Sequence, residues 1–182
     1  MAVRNIIKYG HPILRFKSKP IDVINDSIHV LVDDMIETMQ FAEGIGLAAP
    51  QLAEPIALCI VNLGLIEEGA LPKAYLNPVI LQEEGTATME EGCLSIPDIR
   101  DEVVRPECIT VKYKDIDGTE YKEKCDGMLA RVLHHEIDHL NGILFVDRIS
   151  PIKRKLLAKK LKKIAAESKA TAPVFTGTYG TL

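Results

Sequence analysis

The chain has 182 residues and a net charge of −4, with 47% hydrophobic residues, 26% charged residues and no tryptophan. This length allows one domain with a sizeable core, and the composition argues against intrinsic disorder. No apolar run approaches the ~20 residues of a membrane span, and residues 1–7 lack the features of a secretory signal or a transit peptide. We therefore expect a cytoplasmic protein with neither a membrane nor DNA as a partner.

The first long predicted element is a helix from Asp26 to about Phe41. Asp26 is suited to cap its N-terminus, and apolar residues recur on one of its faces. That stripe consists of Ile28, Leu31, Val32, Met35, Ile36 and Met39. Residues 44–51 (GIGLAAPQ) follow as a loop of small residues, in which the glycines allow close approach of another group. The alternative is an ordinary helix end followed by a turn.

Several short strands come next. Residues 56–61 form an apolar run that predicts a buried strand. Residues 74–81 and 86–90 predict two more, and alternation over 107–114 predicts a half-buried strand that turns back as a hairpin into 119–124. Because these strands are not interleaved with helices, we expect an α+β fold, with antiparallel sheets packed around a central metal-bearing helix.

The proposed central helix begins after Asp126 and carries the sequence His-Glu-Ile-Asp-His at 135–139. Residues four apart on a helix lie on one face, so the two imidazoles can bind one metal ion. Glu136 lies beside them, where its carboxylate can take a proton from water, which is typical of metal-dependent hydrolases. His134 points away from this face, and we interpret it as a surface histidine.

A catalytic metal needs a third protein ligand. Metallopeptidases with this motif often supply it from downstream. Phe145 occupies one such position, and Glu167, the only later glutamate, lies in a basic helix. We therefore expect the third ligand upstream.

The cysteines offer candidates for this upstream ligand. Cys125 lies about 15 Å along the helix axis from His135, which is too far to share an ion. Cys59 and Cys108 are expected in strands, as structural residues. Elimination leaves Cys93 as a candidate without deciding the matter.

Three motifs, in this order, closely resemble those of the peptide deformylase family. They are residues 44–51 (GIGLAAPQ), 91–95 (EGCLS) and 135–139 (HEIDH), and the opening 10–15 (GHPILR) is also typical. The resemblance covers about residues 4–165. It implies removal of the formyl group from the N-terminal formyl-methionine of nascent bacterial polypeptides, with release of formate.

The resemblance also implies residue roles. One metal ion per chain would have three ligands, Cys93, His135 and His139. The ion is Fe²⁺ in the family, and Zn²⁺ or Ni²⁺ can substitute. Glu136 would be the general base, while the Gln51 side chain and the Leu94 backbone N–H would form the oxyanion hole.

The substrate is expected beside the metal. At 100° per residue, two apolar side chains share the metal face of the helix and are suited to hold a methionine side chain; plain core packing is the alternative. A second methionine lies near Cys93 in sequence, and analogy to the family adds three further contacts. The expected substrate-binding residues are Ile45, Gly46, Met89, Arg100, Met128 and Val132.

Charge is divided unevenly along the chain. Residues 1–150 hold 14 Lys/Arg and 25 Asp/Glu, a net charge of −11, whereas residues 151–182 hold eight basic residues and one acidic residue. We expect a catalytic domain at 1–150, a basic helix of the same domain at 151–170 and a flexible, uncharged tail at 171–182. The expected apolar stripe of the helix is Ile152, Leu157, Leu161 and Ile164.

Deformylases with such a terminal helix dock it on the ribosome, and the resemblance therefore implies ribosome binding through residues 151–164. A solvated helix that only packs one edge on the body is the alternative. Two other functions remain open from the sequence: a metallopeptidase that cuts internal bonds, and a ribosome-associated binding protein with a vestigial site. The absence of a downstream ligand argues against the first, and the intact motif argues against the second.

Overall fold

The computed structural model describes residues 2–171, with side chains through Ser168. Apart from Thr171, the uncharged tail expected at 171–182 lies outside the described residues. The helices are α1 (Asp26–Phe41), α2 (Gly127–Leu140) and α3 (Pro151–Thr171). The strands are β1 (Gly46–Ala48), β2 (Leu58–Val61), β3 (Lys73–Glu84), β4 (Ala87–Cys93), β5 (Ile96–Arg105), β6 (Cys108–Lys114) and β7 (Glu120–Asp126).

Two antiparallel sheets form the β-structure. Five strands pair in the order β1-β2-β3-β6-β7, and β4 pairs with β5 in a separate hairpin. The expected α+β fold with antiparallel sheets is thus confirmed. The two strands expected at 74–81 and 86–90 exist, but β3 is longer than expected and its successor β4 belongs to the other sheet.

The larger sheet lies between α1 and α2. Side chains alternate between the two faces of a strand, and β2 shows this directly. Leu58 and Ile60 belong to the cluster around α1, whereas Cys59 and Val61 belong to the cluster around α2. All four are fully buried, which explains why this strand is a continuous apolar run.

Helix α2 is central, as expected. Eleven of its residues are buried, from Ala130 through Leu140. It packs on the larger sheet with its apolar residues and faces the β4–β5 hairpin with its polar ones. The histidine motif is therefore held between the two sheets.

Several local expectations were wrong. The N-cap of α1 is Asn25, whose side-chain oxygen accepts a hydrogen bond from Ile28 N–H, and not Asp26. Strand β5 was not expected from the sequence. In α3, Leu157, Leu161 and Ile164 pack on the body, but Ile152 is 75% exposed and does not belong to the stripe. Within residues 2–171, no helix combines the length and the apolar character that crossing a bilayer requires.

Candidate metal centre

One turn of α2 and the end of β4 bring three potential ligands together. His135 and His139 lie one helical turn apart, with ring centroids separated by 5.1 Å. The Cys93 Sγ lies 3.2 Å from His139 Nε2, and the ligand atoms of all three residues lie within 4.8 Å of one another. Sulfur and nitrogen ligands about 2.0–2.3 Å from a shared tetrahedral ion lie about 3.5 Å apart. The three side chains therefore fit one metal ion.

The electrostatics of the site favour the thiolate that metal binding needs. Burial alone would raise the pKa of Cys93, but the charge of His139 and hydrogen bonds with both histidines bring it well below its usual value. Burial lowers the pKa of His135, yet hydrogen bonds to Cys93 and Glu91 outweigh it and raise this pKa to about 10. Without a metal ion, His135 therefore holds a proton that a bound cation would replace. Metal binding and proton release are thus coupled.

Glu91 orients the first histidine. One of its carboxylate oxygens lies 3.0 Å from His135 Nδ1, which leaves Nε2 of the ring for a metal. Glu91 is buried, and its carboxylate accepts hydrogen bonds from Arg105 and Arg131. Burial raises the pKa of Glu91, but hydrogen bonds from His135 and Arg105 have the larger, opposite effect. The pKa is therefore well below its ordinary value, and the group remains ionised. This role of Glu91 was not predicted from the sequence.

A buried ionic network continues behind the histidines. Arg105 is fully buried and also donates a hydrogen bond of 2.6 Å to Asp138, which in turn accepts hydrogen bonds from Arg148. His134 is only 4% exposed and lies 2.7 Å from Arg105 and 3.1 Å from Glu83. Its interpretation as a surface histidine was wrong, because this polar face of α2 packs against β3 and β5.

Glu136 faces the metal-binding side of α2 and has a free oxygen. Its Oε2 is buried without a hydrogen-bond partner among the described residues. The Glu136 Oε1 lies against the Gly46 backbone, so that a Cβ built on Gly46 would be 2.5 Å from this oxygen. Burial raises the pKa of Glu136, although both ligand histidines oppose the shift. A carboxylate with a raised pKa is suited to proton transfer near neutral pH.

Gln51 lies in a short 3-10 helix, Ala49–Leu52, directly after β1. Its side-chain oxygen accepts a hydrogen bond of 2.8 Å from Ala48 N–H, which fixes the orientation of the amide. The amide nitrogen then lies 3.6 Å from Cys93 Sγ and 3.2 Å from Ser95 Oγ. Its N–H donors are therefore directed to the metal site, and Leu94 follows Cys93 in the turn between β4 and β5.

A cavity of about 770 Å³ opens beside these residues, within the size range of small-ligand sites. Its walls include five of the six expected substrate-binding residues: Ile45, Gly46, Arg100, Met128 and Val132. Met89 lies on β4, outside the described lining. Met128 is 41% exposed and so is not packed into the core, whereas Val132 is buried.

The family model for polypeptide deformylase matches residues 3–155. The chain belongs to the peptide deformylase family. It is 45% identical over 168 residues to the peptide deformylase of Mesorhizobium japonicum, which covers 92% of this chain and 96% of that protein. The relative from Brucella suis is equally similar, at 45% over the same shares of both chains.

Solved deformylase structures share the fold. The crystal structure of a peptide deformylase from Legionella pneumophila superposes with a TM-score of 0.83 at 39% identity, over 94% of this chain and all of that one. The Thermus thermophilus enzyme gives 0.84 at 38% identity, over 91% and 99%. The chain is therefore a metal-dependent hydrolase that removes the N-formyl group from nascent peptides, and Cys93, His135 and His139 form the Cys/His/His metal site typical of deformylases.

Proposed function

We propose that this deformylase holds one Fe²⁺ per chain on Cys93, His135 and His139, and acts in the cytoplasm on the formyl-methionine of emerging polypeptides. The donor set supports a first-row divalent ion, because it combines a thiolate with two imidazoles, and Zn²⁺ or Ni²⁺ fits it equally. When bound, such an ion would supply a Lewis acid that polarises the formyl carbonyl and lowers the pKa of a water molecule to roughly 7.

Glu136 is proposed as the general base. Its Oε2, which is buried and has no hydrogen-bond partner within residues 2–171, is available to take the proton of the attacking water and to deliver it to the leaving amine. The raised pKa of Glu136 supports both steps, because the carboxyl must accept the proton and then release it. This free carboxylate beside the ligand cluster is the observation that carries the assignment.

The Gln51 amide and the Leu94 N–H are proposed to hold the oxyanion that develops on the formyl oxygen. The fixed orientation of the Gln51 amide supports this role, since its donors are aligned before substrate binds. Loss of one such donor typically lowers kcat by ~10²–10³.

The cavity beside the ligands is proposed to take the methionine side chain and the first peptide units. Met128 and Val132 supply an apolar wall, Ile45 and Gly46 lie at the edge of β1, and Arg100 lies at the rim, 3.9 Å from Glu90. Met89 stays a predicted contact that the cavity lining does not support.

The metal and the general base are tested together. Protein purified without oxygen is expected to contain about one iron per chain and to release formate from formyl-Met peptides, with casein left intact. Glu136→Ala should keep the metal and lose activity, whereas Glu68→Ala, at an exposed loop carboxylate, should change neither. Full activity of Glu136→Ala would overturn the general-base assignment.

We also propose that residues 1–150 form the catalytic domain and that α3, a helix of the same domain, docks on the ribosome. Two basic residues of α3 are bound to the body: Lys153 contacts Asp101 at 2.5 Å, and Arg154 contacts Asp147 at 3.0 Å. The side chains of four further lysines are exposed and have no acidic partner within the described residues: Lys155, Lys159, Lys160 and Lys162. Such a cationic surface is suited to RNA phosphates.

A further inference from the structure

The N-terminal segment is bound to the proposed oxyanion hole at three consecutive residues. Ile7 N–H donates a hydrogen bond of 2.8 Å to the carbonyl of Gln51, and Tyr9 N–H donates one of 2.8 Å to the carbonyl of Ser95. Between them, Lys8 Nζ donates a hydrogen bond of 2.7 Å to the carbonyl of Leu94. Residues 7–9 therefore contact both chain segments that supply oxyanion donors.

Lys8 differs from its neighbours because it acts through its side chain. The side chain is half-buried. Burial lowers the pKa of Lys8, and the charge of Cys93 opposes that shift. Hydrogen bonds with a charged donor are about twice as strong as neutral ones. The Leu94 carbonyl is thus held by a strong, charged donor from a residue that does not line the cavity.

The other side of this segment packs against α3, so it cannot move freely. The Lys8 carbonyl accepts a hydrogen bond of 3.2 Å from Ser168 Oγ. Gly10 lies so close to α3 that an added Cβ would be 2.6 Å from the Cβ of Ala165. Lys8 is therefore attached to a backbone that is fixed on both sides, which makes it an effective anchor for the turn.

We propose that Lys8 is a positioning residue for deformylation, which fixes the Leu94 carbonyl and thereby the turn that carries Cys93 and the Leu94 N–H. A residue has only two soft backbone dihedrals, so holding its carbonyl restricts the direction of its own N–H. Lys8 does not line the cavity, and it acts through the turn rather than on the substrate. This inference rests on the proposed oxyanion role of Leu94.

Three variants test the inference. Lys8→Met removes the charge and the donor but keeps the chain length, Lys8→Arg keeps both, and Lys122→Met removes an exposed lysine on β7 as a matched control. We expect Lys8→Met to lower kcat by about 10- to 100-fold at nearly unchanged KM, because a misplaced donor costs mainly the transition state. Lys8→Arg should retain kcat to within a few fold, and Lys122→Met should match the wild type.

A second measurement does not depend on activity. In the zinc-loaded proteins, NMR should show shifted resonances and faster amide exchange for residues 93–95 in Lys8→Met, with β1 and the zinc content unchanged. If Lys8→Met does not fold, Lys8→Gln, which keeps a neutral donor, is measured instead and should give a smaller change in the same direction.

The outcomes separate this inference from the function it rests on. Wild-type kcat in Lys8→Met, a change confined to KM, or unchanged resonances at 93–95 would each overturn the positioning role. A wild-type protein that releases no formate would instead overturn the proposed function, while the NMR comparison would still decide whether Lys8 orders the turn.

Discussion

Gly46 and Glu136 occupy the same small space in the active-site cleft. An added Cβ at position 46 would lie 2.5 Å from Glu136 Oε1 and 2.8 Å from Val132 Cγ1. Gly46→Ala should therefore displace the carboxylate and lower kcat by about 10- to 100-fold, while the metal content stays the same. Formate release and metal analysis on one sample measure both effects.

The control for this change is Gly69→Ala, where an added Cβ meets nothing within 4 Å. Gly69 has a positive φ of 82°, so the substitution strains the backbone without crowding a neighbouring side chain. It should leave kcat unchanged. Wild-type kcat in Gly46→Ala would show that the carboxylate position is not critical.

Glu91 is expected to affect metal affinity through His135. Glu91→Gln keeps the shape but loses the charge that holds His135 Nδ1–H and thereby presents Nε2 to the metal. Loss of such a partner typically weakens metal binding by ~10–100-fold, which competition with a chelator would measure.

The neighbouring Glu90 is the matched control, since its side chain is 62% exposed. Glu90→Gln should bind the metal as the wild type does. Equal affinities in both variants would mean that Glu91 only balances the charges of Arg105 and Arg131.

Residues close to the motifs were more predictable than their partners. The spacing of His135 and His139 follows from helix geometry, and the motif at 91–95 pointed to Cys93. Glu91 stands 44 positions before His135, and nothing local shows that the two meet. The prediction for His134 was wrong for a related reason. A polar face on a helical wheel indicates solvent exposure only if no charged partner such as Arg105 packs on it.

At the scale of elements, α1, α2 and the β6–β7 hairpin were predictable because their periodicity is regular. Strand β5 was not. Its buried residues are Ile96, Ile99, Val103 and Arg105, a pattern with a broken period. Asp98 has a left-handed φ of 59°, which interrupts the alternation, and a charged run at 100–102 follows. A strand with this irregularity is recognisable only from its pairing with β4.

Arg105 links β5 to β4 and α2, and it supplies a prediction on stability. Arg105→Met should remove one of the buried cations that Glu91 and Asp138 share, leaving Arg131 on Glu91 and Arg148 on Asp138. Removing one partner of a buried ion pair typically lowers the free energy of unfolding by about 3–5 kcal/mol. Urea unfolding of metal-loaded protein measures this difference.

Arg100→Met is the comparison, because the Arg100 side chain is 71% exposed and lies 3.9 Å from its acidic neighbour. Its effect should be within about 0.5 kcal/mol. Equal losses in the two variants would refute a structural role for the buried network.

For the whole molecule, the attachment of α3 depends partly on Asp147. This carboxylate forms ion pairs with Arg15 and Arg154 and accepts a hydrogen bond from Leu144 N–H. Burial raises its pKa, but Arg15 and the backbone hydrogen bond lower it below the ordinary value. Asp147→Asn should therefore lower the free energy of unfolding by about 1 kcal/mol at neutral pH.

The sign of the pH dependence follows from that shift. A carboxylate whose pKa is lowered by folding stabilises the protein above its unfolded pKa and loses this contribution as pH falls. The difference between wild type and Asp147→Asn should be constant above about pH 5 and should shrink towards about pH 3. A difference that grows on acidification would contradict the ion-pair explanation.

The exposed cations of the basic helix α3 are expected to bind the ribosome. The charge and position of this helix were predictable from the sequence, but not which of its cations form ion pairs within the protein. Lys153 and Arg154 pair with carboxylates outside the helix, Asp101 and Asp147. Lys155 and Lys159 lie one turn apart and are exposed. Reversing the charge of the exposed pair should weaken binding to purified ribosomes and reduce its salt dependence by about one unit of log–log slope per lost phosphate contact.

The control is Lys17→Glu/Lys122→Glu, which changes the net charge by the same amount on exposed positions of the body. If bulk charge alone governed binding, both double variants would weaken it equally. If α3 is the docking element, only Lys155→Glu/Lys159→Glu should do so, and its hydrolysis of free formyl-Met peptides should remain unchanged, because these lysines do not line the cavity. Loss of both activities together would indicate that α3 supports the fold rather than the ribosome contact.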